Sequence, residues 1–245
     1  MCTGCLNKTK EPTDLEAIVQ RGYIIVGVKE DSPPFGFYKN KKLQGIDIEI
    51  AKSIASIIFQ SDSPEHIQFV KINPQNRISK LNAKEVDILI ATMSINEKRK
   101  LVIDFSIPYF TASQKLMVRK DSKISHIQYF NTTGKLGVVL GTTGEKVIHL
   151  AAPTARITGA RSYKEAIDLL LSGQIDGIIG DDCILQGYMN NKLKIINKTY
   201  SREFYAVAVR KSDDSQELLN QINAAITTLL DEKRINIIKK EFIKD

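Results

Sequence analysis

Most of the signatures that would make a chain an enzyme or a nucleic-acid binder are missing from these 245 residues. The three histidines, His66, His126 and His149, stand in unrelated contexts, and none belongs to a metal-spaced pair. There is no GxSxG nucleophile turn, no HExxH helix and no P-loop. The nearest approach to a phosphate loop, Gly141-Thr142-Thr143-Gly144-Glu145, lacks the Lys-Ser/Thr that such a loop requires. Cysteine is scarce: Cys2 and Cys5 form one CxxC pair, but four-ligand zinc needs two more partners and only the isolated Cys183 remains. No apolar run approaches the roughly 18 residues needed to span a bilayer as a helix.

Charge of one sign is in modest excess. Thirty-five Lys and Arg against 28 Asp and Glu give +7 and a pI near 9.2, so acidic partners have to be considered. The basic residues are spread along the whole chain, with no zinc-finger spacing, no aromatic RNA-binding strand and no basic arm, so no nucleic-acid partner is expected. At 42% hydrophobic and 26% charged the composition is that of an ordinary globular protein. The length allows one large domain or two lobes of roughly 100–130 residues, each able to bury a core.

The start, Met1-Cys2-Thr3-Gly4-Cys5, has small residues ahead of a cysteine, as at the end of a bacterial lipoprotein signal, with a polar tether from Asn7 to Pro12. Residues 1–13 are therefore expected to be a tether, with Cys5 as a lipid-attachment site at the membrane surface. Thr13-Asp14-Leu15-Glu16 reads as a capping box opening a helix to about Gln20. "YIIVGV" from Tyr23 is the continuous apolar run of a buried parallel strand. A breaker-rich loop or hairpin follows, then the helical spacing of "IDIEIAKSIASIIF" from Ile46 to Phe59. "IQFVKI" is read as a strand, "NRISKLNAK" as a short helix and "VDILIA" as a third strand. The pattern restarts after residue 113. Strands "GKLGVVLG", "ARITGA", "IDGIIG", "LKIINK" and "FYAVAVRK" are expected there, with helices between them and two helices at the end. Alternation of this kind predicts doubly wound α/β sheets in two lobes, with ligands at the carboxyl ends of strands.

Polar residues gather at those ends. Lys29 follows "IIVGV", Thr92 and Ser94 follow "DILIA", and Thr142 and Thr143 follow "LGVVLG" at a helix start. Asp181 follows "DGIIG", also at a helix start. Each is individually explicable as a strand end or a helix cap. Together they offer one acid and several donors to a single cleft, which suits a zwitterion.

Five stretches in order, "GVKEDSPPFGF", "GIDIEIAKSIA", "ATMSINEKRKLVIDFSIPYF", "GVVLGTTGE" and "IDGIIGDDCILQGY", resemble the family-3 extracellular solute-binding proteins of ABC uptake systems, over about residues 14 to 243. The resemblance implies a two-lobed clamshell: residues 14–108 with 209–245, and 114–203, hinged at 109–113 and 204–208. It implies an L-amino acid as ligand, an ABC permease in the membrane as partner, a location on the outer face of the cytoplasmic membrane or in the periplasm, a monomer, and no cofactor. Carried over residue by residue, Arg99 would grip the α-carboxylate, Thr92 and Ser94 would touch the α-amino and α-carboxylate groups, and Asp181 would hold the ammonium. Thr142, Thr143 and Gly144 would supply helix-start amides, Phe35 would face the side-chain slot, and Tyr205 would lie near the ligand. Lys29 and Arg77 match positions of the aspartate/glutamate-binding branch. Three cations, Lys29, Arg77 and Arg99, against Asp181 alone mirror an acidic amino acid, so aspartate or glutamate is expected, with glutamine, asparagine or a cationic amino acid as alternatives. The same fold carries dehydratases of prephenate or arogenate type and receptor modules. For an enzyme, Glu30, Asp31 and Asp182 would be the candidate acids.

Overall fold

The continuous apolar runs form strands and the amphipathic stretches form helices throughout residues 11–243, the part of the chain described by the computed structural model. Cys5 and the expected tether through Lys10 lie outside the described residues. Helix α1 (Asp14–Arg21) opens with the expected capping box: Glu16 N–H donates to Thr13 Oγ1 at 3.3 Å, and Thr13 N–H donates to Glu16 Oε2 at 2.8 Å. Then come β1 (Ile24–Val28), a small hairpin sheet of β2 (Asp31–Ser32), β3 (Gly36–Lys39) and β4 (Lys42–Gln44), and α2 (Ile46–Phe59). β5 (Ile67–Lys71), α3 (Arg77–Asn82), β6 (Ile88–Leu89) and the one-turn α4 (Glu97–Lys100) complete the first half. The second half holds β7 (Ile103–Arg119), β8 (Lys135–Val139), α5 (Gly144–Ala151), β9 (Arg156–Ala160), α6 (Tyr163–Leu171), β10 (Gly177–Asp181), α7 (Asp182–Gly187) and β11 (Leu193–Arg210). α8 (Gln216–Asp231) and α9 (Arg234–Phe242) return to the first half.

Two lobes result, and two long strands join them. The main sheet runs β5-β1-β6-β11-β7-β10-β8-β9. β5, β1 and β6 are parallel on one side, β10, β8 and β9 are parallel on the other, and β7 and β11 lie antiparallel in the middle. Each parallel set is connected through helices, as parallel strands require. In both sets the first strand in sequence lies between the other two, so each lobe has a switch point, between β1 and β6 and between β8 and β10, where loops diverge and a crevice opens. β6 meets β11 at Ala208, while β10 meets β7 only from Gln114 onward. Between those points the sheet narrows to the β7–β11 pair, which crosses from lobe to lobe.

Two expectations about strands need correcting. "LKIINK" and "FYAVAVRK" are one strand, β11, because antiparallel pairing with β7 resumes after an irregularity between Ile196 and Ser201. "VDILIA" contributes only Ile88–Leu89 as strand; the chain then turns, with Thr92 at a left-handed φ of 47°. Arg99 lies beyond the segment that supplies Thr92 and Ser94, on α4, whose cap is Asn96 Oδ1 accepting from Arg99 N–H at 2.9 Å.

Lobe 1 is also held by a buried ion pair. Arg210 of β11 pairs with Asp14 of α1, while Ser215 Oγ donates to the second oxygen of Asp14 and Arg210 Nη1 donates to the Val86 carbonyl. Both charged residues are buried. Removing one member leaves the other charge buried without compensation. Asp14→Asn is expected to lower the stability of the protein by about 3 kcal/mol, read as a shift in the urea unfolding midpoint at unchanged slope.

Candidate functional site

The carboxyl ends of the strands bring the polar residues together at the boundary between the lobes. Lys29, the residue after β1, is 2% exposed, and its ammonium lies 4.9 Å from the centre of the Tyr163 ring on the opposite lobe. Asp47, in the first turn of α2, is fully buried. It accepts from Thr92 N–H at 3.0 Å and from Tyr109 OH at 2.8 Å, so one carboxylate fixes both the left-handed turn after β6 and the start of the crossing strand. A left-handed non-glycine residue costs on the order of 1 kcal/mol, and this hydrogen bond helps to hold it.

Two guanidiniums enter from the same lobe. Asn96 caps α4 so that Lys98 and Lys100 face solvent and Arg99 faces inward, 8% exposed. Arg99 donates to Ser94 O at 2.7 Å and Arg77 of α3 donates to Ala91 O at 3.0 Å. Each donates a further bond to the carbonyl of Gly141 on lobe 2, at 3.1 Å from Arg99 and 3.3 Å from Arg77. The Nε of Arg77 is buried without a partner among the described residues. Gly141 has φ +77°, and an added Cβ would stand 2.7 Å from Pro74 O, so only glycine lets the lobes meet here.

Lobe 2 supplies an acid and two hydroxyls. Asp181 ends β10 and begins α7, but its carboxylate does not cap that helix. It is 4% exposed and accepts from Gln114 Nε2 at 2.8 Å, with Tyr163 OH at 3.4 Å from its other oxygen. Thr143 precedes α5 without a side-chain cap and instead accepts from Gln114 Nε2 at 3.1 Å. Thr142 OH donates to Val139 O at 2.7 Å.

Lys29, Arg77, Thr92, Ser94, Arg99, Thr142, Thr143 and Asp181, together with Pro74 and Tyr163, line one narrow cavity, of about 230 Å³ including open solvent. Gly144, Phe35 and Tyr205 do not line it. Gly144 packs behind the wall, where a Cβ would meet Val138 and Ile179 at 3.0 and 3.2 Å. Phe35 is fully buried in an aromatic cluster, edge-on to Phe110 and Tyr205 at 4.9 and 5.3 Å, so it is a core residue rather than a wall of the slot. The Tyr205 hydroxyl is buried without a hydrogen bond of normal geometry among the described residues, but it lies near enough to the Asp181 carboxylate to oppose part of the rise at that acid. A larger open groove, of about 1610 Å³ including open solvent, runs past Phe37, Ile195 and Phe242. No buried charged side chains converge there, so the smaller cavity is the candidate site.

Burial dominates the electrostatics. Desolvation pushes Lys29 down to about 8, with Asp31 opposing, and pushes Arg77 down to about 9, with the neighbouring Arg99 adding to the effect. Arg99 is lowered in the same direction by burial, against the attraction of Glu203 and Asp181. Asp47 and Asp181 are both raised to about 6 by burial, and Glu203 adds to the rise at Asp181. Glu203 is itself 6% exposed on β11 and takes a hydrogen bond from Ser201 Oγ at 2.6 Å. Three basic side chains, Lys29, Arg77 and Arg99, and three carboxyl groups, those of Asp47, Asp181 and Glu203, are thus buried in and around one small cavity. Reading the sequence alone passes over four of these contributors: Asp47, Gln114, Tyr163 and Glu203. Asp47 carries a signal, an acid at the start of a helix in "GIDIEIA"; the others lie in strand and helix runs with no local mark.

The profile of the bacterial extracellular solute-binding proteins, family 3, matches residues 24–245. The chain belongs to that family. Among its relatives, the ABC transporter glutamine-binding protein GlnH of Bacillus subtilis is 34% identical over 247 residues, covering 99% of this chain and 89% of the relative. The glutamine-binding protein of Geobacillus stearothermophilus is 35% identical over 201 residues, covering 80% and 76%. The crystal structure of an ancestral amino acid-binding protein, a precursor of cyclohexadienyl dehydratase, superposes with a TM-score of 0.86 at 29% identity over 94% of this chain and 99% of that one. The family assignment accords with the two-lobed fold, and no described helix is long and apolar enough to cross a membrane.

The pH behaviour of Asp181 gives a direct test of its environment. An acid raised from 3.8 to about 6 destabilises the folded protein fully above pH 6, and the penalty fades as pH falls towards 4, where folded and unfolded states are both protonated. Asp181→Asn keeps an acceptor for Gln114 but carries no charge. In protein stripped of ligand, it is expected to be more stable than the parent by about 1–3 kcal/mol at pH 7–8, with the difference vanishing near pH 4. Urea unfolding at pH 4, 6 and 8 measures it.

Proposed function

We propose that the protein binds a zwitterionic L-amino acid in the cavity between its lobes and delivers it to the permease of an ABC uptake system, with glutamine as the preferred ligand. The observation that carries the reading is the split of polarity across the boundary. Lobe 1 offers the Arg99 fork with Thr92 and Ser94, donors suited to a carboxylate, and lobe 2 offers Asp181, an acceptor suited to an ammonium. One zwitterion satisfies both halves only when they face each other.

The expectation of an acidic ligand rests on three cations against one acid. The buried Asp47 and Glu203, and Asp31 beside Lys29, also act on these groups, so the surroundings are not short of negative charge and an amino acid of zero net charge suits them. The names of two relatives, at 34% and 35% identity, point the same way. Glutamate is the second reading. It is favoured by the absence of any carboxylate within ion-pair distance of Lys29 among the described residues and by the unpartnered Arg77 Nε.

Binding works by hinge closure: residues 14–108 with 209–245 move against 114–203 about the two-strand neck at 109–113 and 204–208, where the sheet has least pairing. The ligand favours closure by the contacts it makes to both lobes at once. The closed form then docks on the permease on the outer face of the membrane, as a monomer tethered through Cys5.

Dehydratase chemistry finds less support. Glu30 is paired with Lys71 at 3.1 Å, Asp31 accepts from Ser32 Oγ at 3.2 Å, and Asp182 accepts from Ser113 N–H at 3.0 Å; none of the three lines the cavity.

A thermal-shift panel of the twenty amino acids, on protein unfolded and refolded to strip ligand, tests the proposal. A ligand at a hundredfold over its Kd adds about 2.7 kcal/mol, or about 5–10 °C in Tm for a protein of this size. Glutamine is expected to give the largest shift and glutamate the next; stabilisation by arginine alone would sink the assignment. Arg99→Ala is expected to weaken every amino acid by at least about 30-fold, the cost of leaving a buried carboxylate unpaired. Arg77→Met should mainly change the ratio of glutamine to glutamate affinity.

A further inference from the structure

One buried side chain that does not line the cavity touches two of its lobe 2 polar groups, Asp181 and Thr143. Gln114 is fully buried in β7, opposite Asp181 in the β7–β10 pairing. Its amide nitrogen donates to Asp181 Oδ1 at 2.8 Å and to Thr143 Oγ1 at 3.1 Å, spending both hydrogens. Its oxygen is buried without a partner among the described residues. The opposite orientation of the amide would set that oxygen against the Asp181 carboxylate, two acceptors face to face, so the chemistry of the neighbours fixes which end is nitrogen.

Given the reading of the cavity as an amino-acid site, we infer that Gln114 is a positioning residue that sets the hydrogen-bond polarity of lobe 2, making Asp181 an obligate acceptor and Thr143 an obligate donor. The logic is that of hydroxyl and carboxylate inventories. A hydroxyl that already accepts from an amide has its own proton free, and Thr143 gives that proton to no group among the described residues, so it is available to the ligand's carboxylate. Asp181 Oδ1 is occupied by the amide, which leaves Oδ2, met only by the long Tyr163 OH contact at 3.4 Å, for the ligand's ammonium. A single neutral amide thus presents a donor and an acceptor side by side, the complement of a zwitterion's two ends, without adding charge to the site.

The charged and titratable groups around Asp181 come from every element packed on it: Lys29 after β1, Arg77 of α3, Arg99 of α4, Tyr163 of α6, Asp182 of α7, and Glu203 and Tyr205 of β11. Gln114 is the neutral bridge among them, which makes its replacement by an acid informative.

Binding of L-glutamine and L-glutamate to wild type, Gln114→Glu and Gln114→Met, measured by calorimetry at pH 5, 6.5 and 8, tests the inference. At pH 8 the carboxylate introduced by Gln114→Glu faces Asp181 with no hydrogen to give, and affinity is expected to fall about 100-fold. At pH 5 that introduced carboxyl is protonated and recovers one of the two donations, and the loss relative to wild type should shrink to about tenfold. Gln114→Met donates at no pH, and its loss relative to wild type should stay at about tenfold or more throughout. A merely structural role predicts losses that follow the drop in Tm and do not depend on pH in this variant-specific way. Wild-type affinity in Gln114→Glu, or a loss equal at pH 5 and 8, overturns the inference while leaving the amino-acid reading intact. If wild type itself binds no amino acid, it is that reading that fails. If Gln114→Glu does not fold, Gln114→Met still decides: unchanged affinity there overturns the inference.

Discussion

A single carbonyl oxygen, that of Gly141, receives hydrogen bonds from two guanidiniums that reach it across the boundary between the lobes. A carbonyl dipole compensates a buried cation only in part, and a buried charge lacking a matched counter-charge costs several kcal/mol. The rest of the site is arranged around this incompletely met demand. Arg77 and Arg99 otherwise donate to backbone carbonyls of their own lobe, Ala91 and Ser94, and Arg77 Nε has no partner among the described residues. Under the proposed function the ligand's carboxylate meets what Gly141 alone does not. This contact between the lobes, made beside those of Gln75 with Leu140 O and of Tyr188 OH with Asp31 O, is weak by itself, and under that reading the ligand completes it. That is the condition a closing device needs, since an arginine fully paired within its own lobe would gain nothing from closure.

The fold supplies the geometry for this at small cost. Parallel strands collect loops at their carboxyl ends, and the two parallel sets turn those ends toward a common boundary because the β7–β11 pair runs antiparallel between them. Asp47 then anchors the lobe 1 half by binding Thr92 N–H and Tyr109 OH, so the strained turn and the crossing strand are fixed by the same carboxylate. Gln114 does the corresponding work in lobe 2. In both lobes a fully buried side chain behind the wall holds the groups that form it, and neither of these residues lines the cavity.

That division explains what can be read from the sequence. Lys29, Thr92, Thr142 and Asp181 follow strand-like runs directly, and position relative to a strand end is a local signal. Arg99 is singled out among Lys98, Arg99 and Lys100 through the family resemblance, and the one-turn helix capped by Asn96 gives the physical reason it alone faces inward. Gln114 and Glu203 sit in the interiors of strands of 17 and 18 residues, where a polar residue looks like any solvent-facing position of an alternating pattern. Their burial follows from pairing with β10 and from the opposite lobe. Gln114 and Asp181 are 67 positions apart, and a contact at that distance leaves no mark in either neighbourhood. Phe35 shows the reverse error. Its motif places it near the ligand, but its ring is consumed by the Phe110 and Tyr205 cluster that forms the floor of the neck.

The same non-locality bears on ligand preference. In a low-dielectric interior a charge acts well beyond contact distance, so the residues that line a cavity are an incomplete account of what the cavity will accept. Lys29, Arg77 and Arg99 against Asp181 describe a site short of negative charge. Glu203, which does not line the cavity, acts on both Arg99 and Asp181, and Asp31 and then Asp47 act on Lys29. Adding them removes the shortage. A change of preference between an acid and its amide therefore does not require a change in the residues that touch the ligand: altering the charge of one buried side chain behind the wall shifts the balance by a full unit while the grip on the α-carboxylate and ammonium stays as it was.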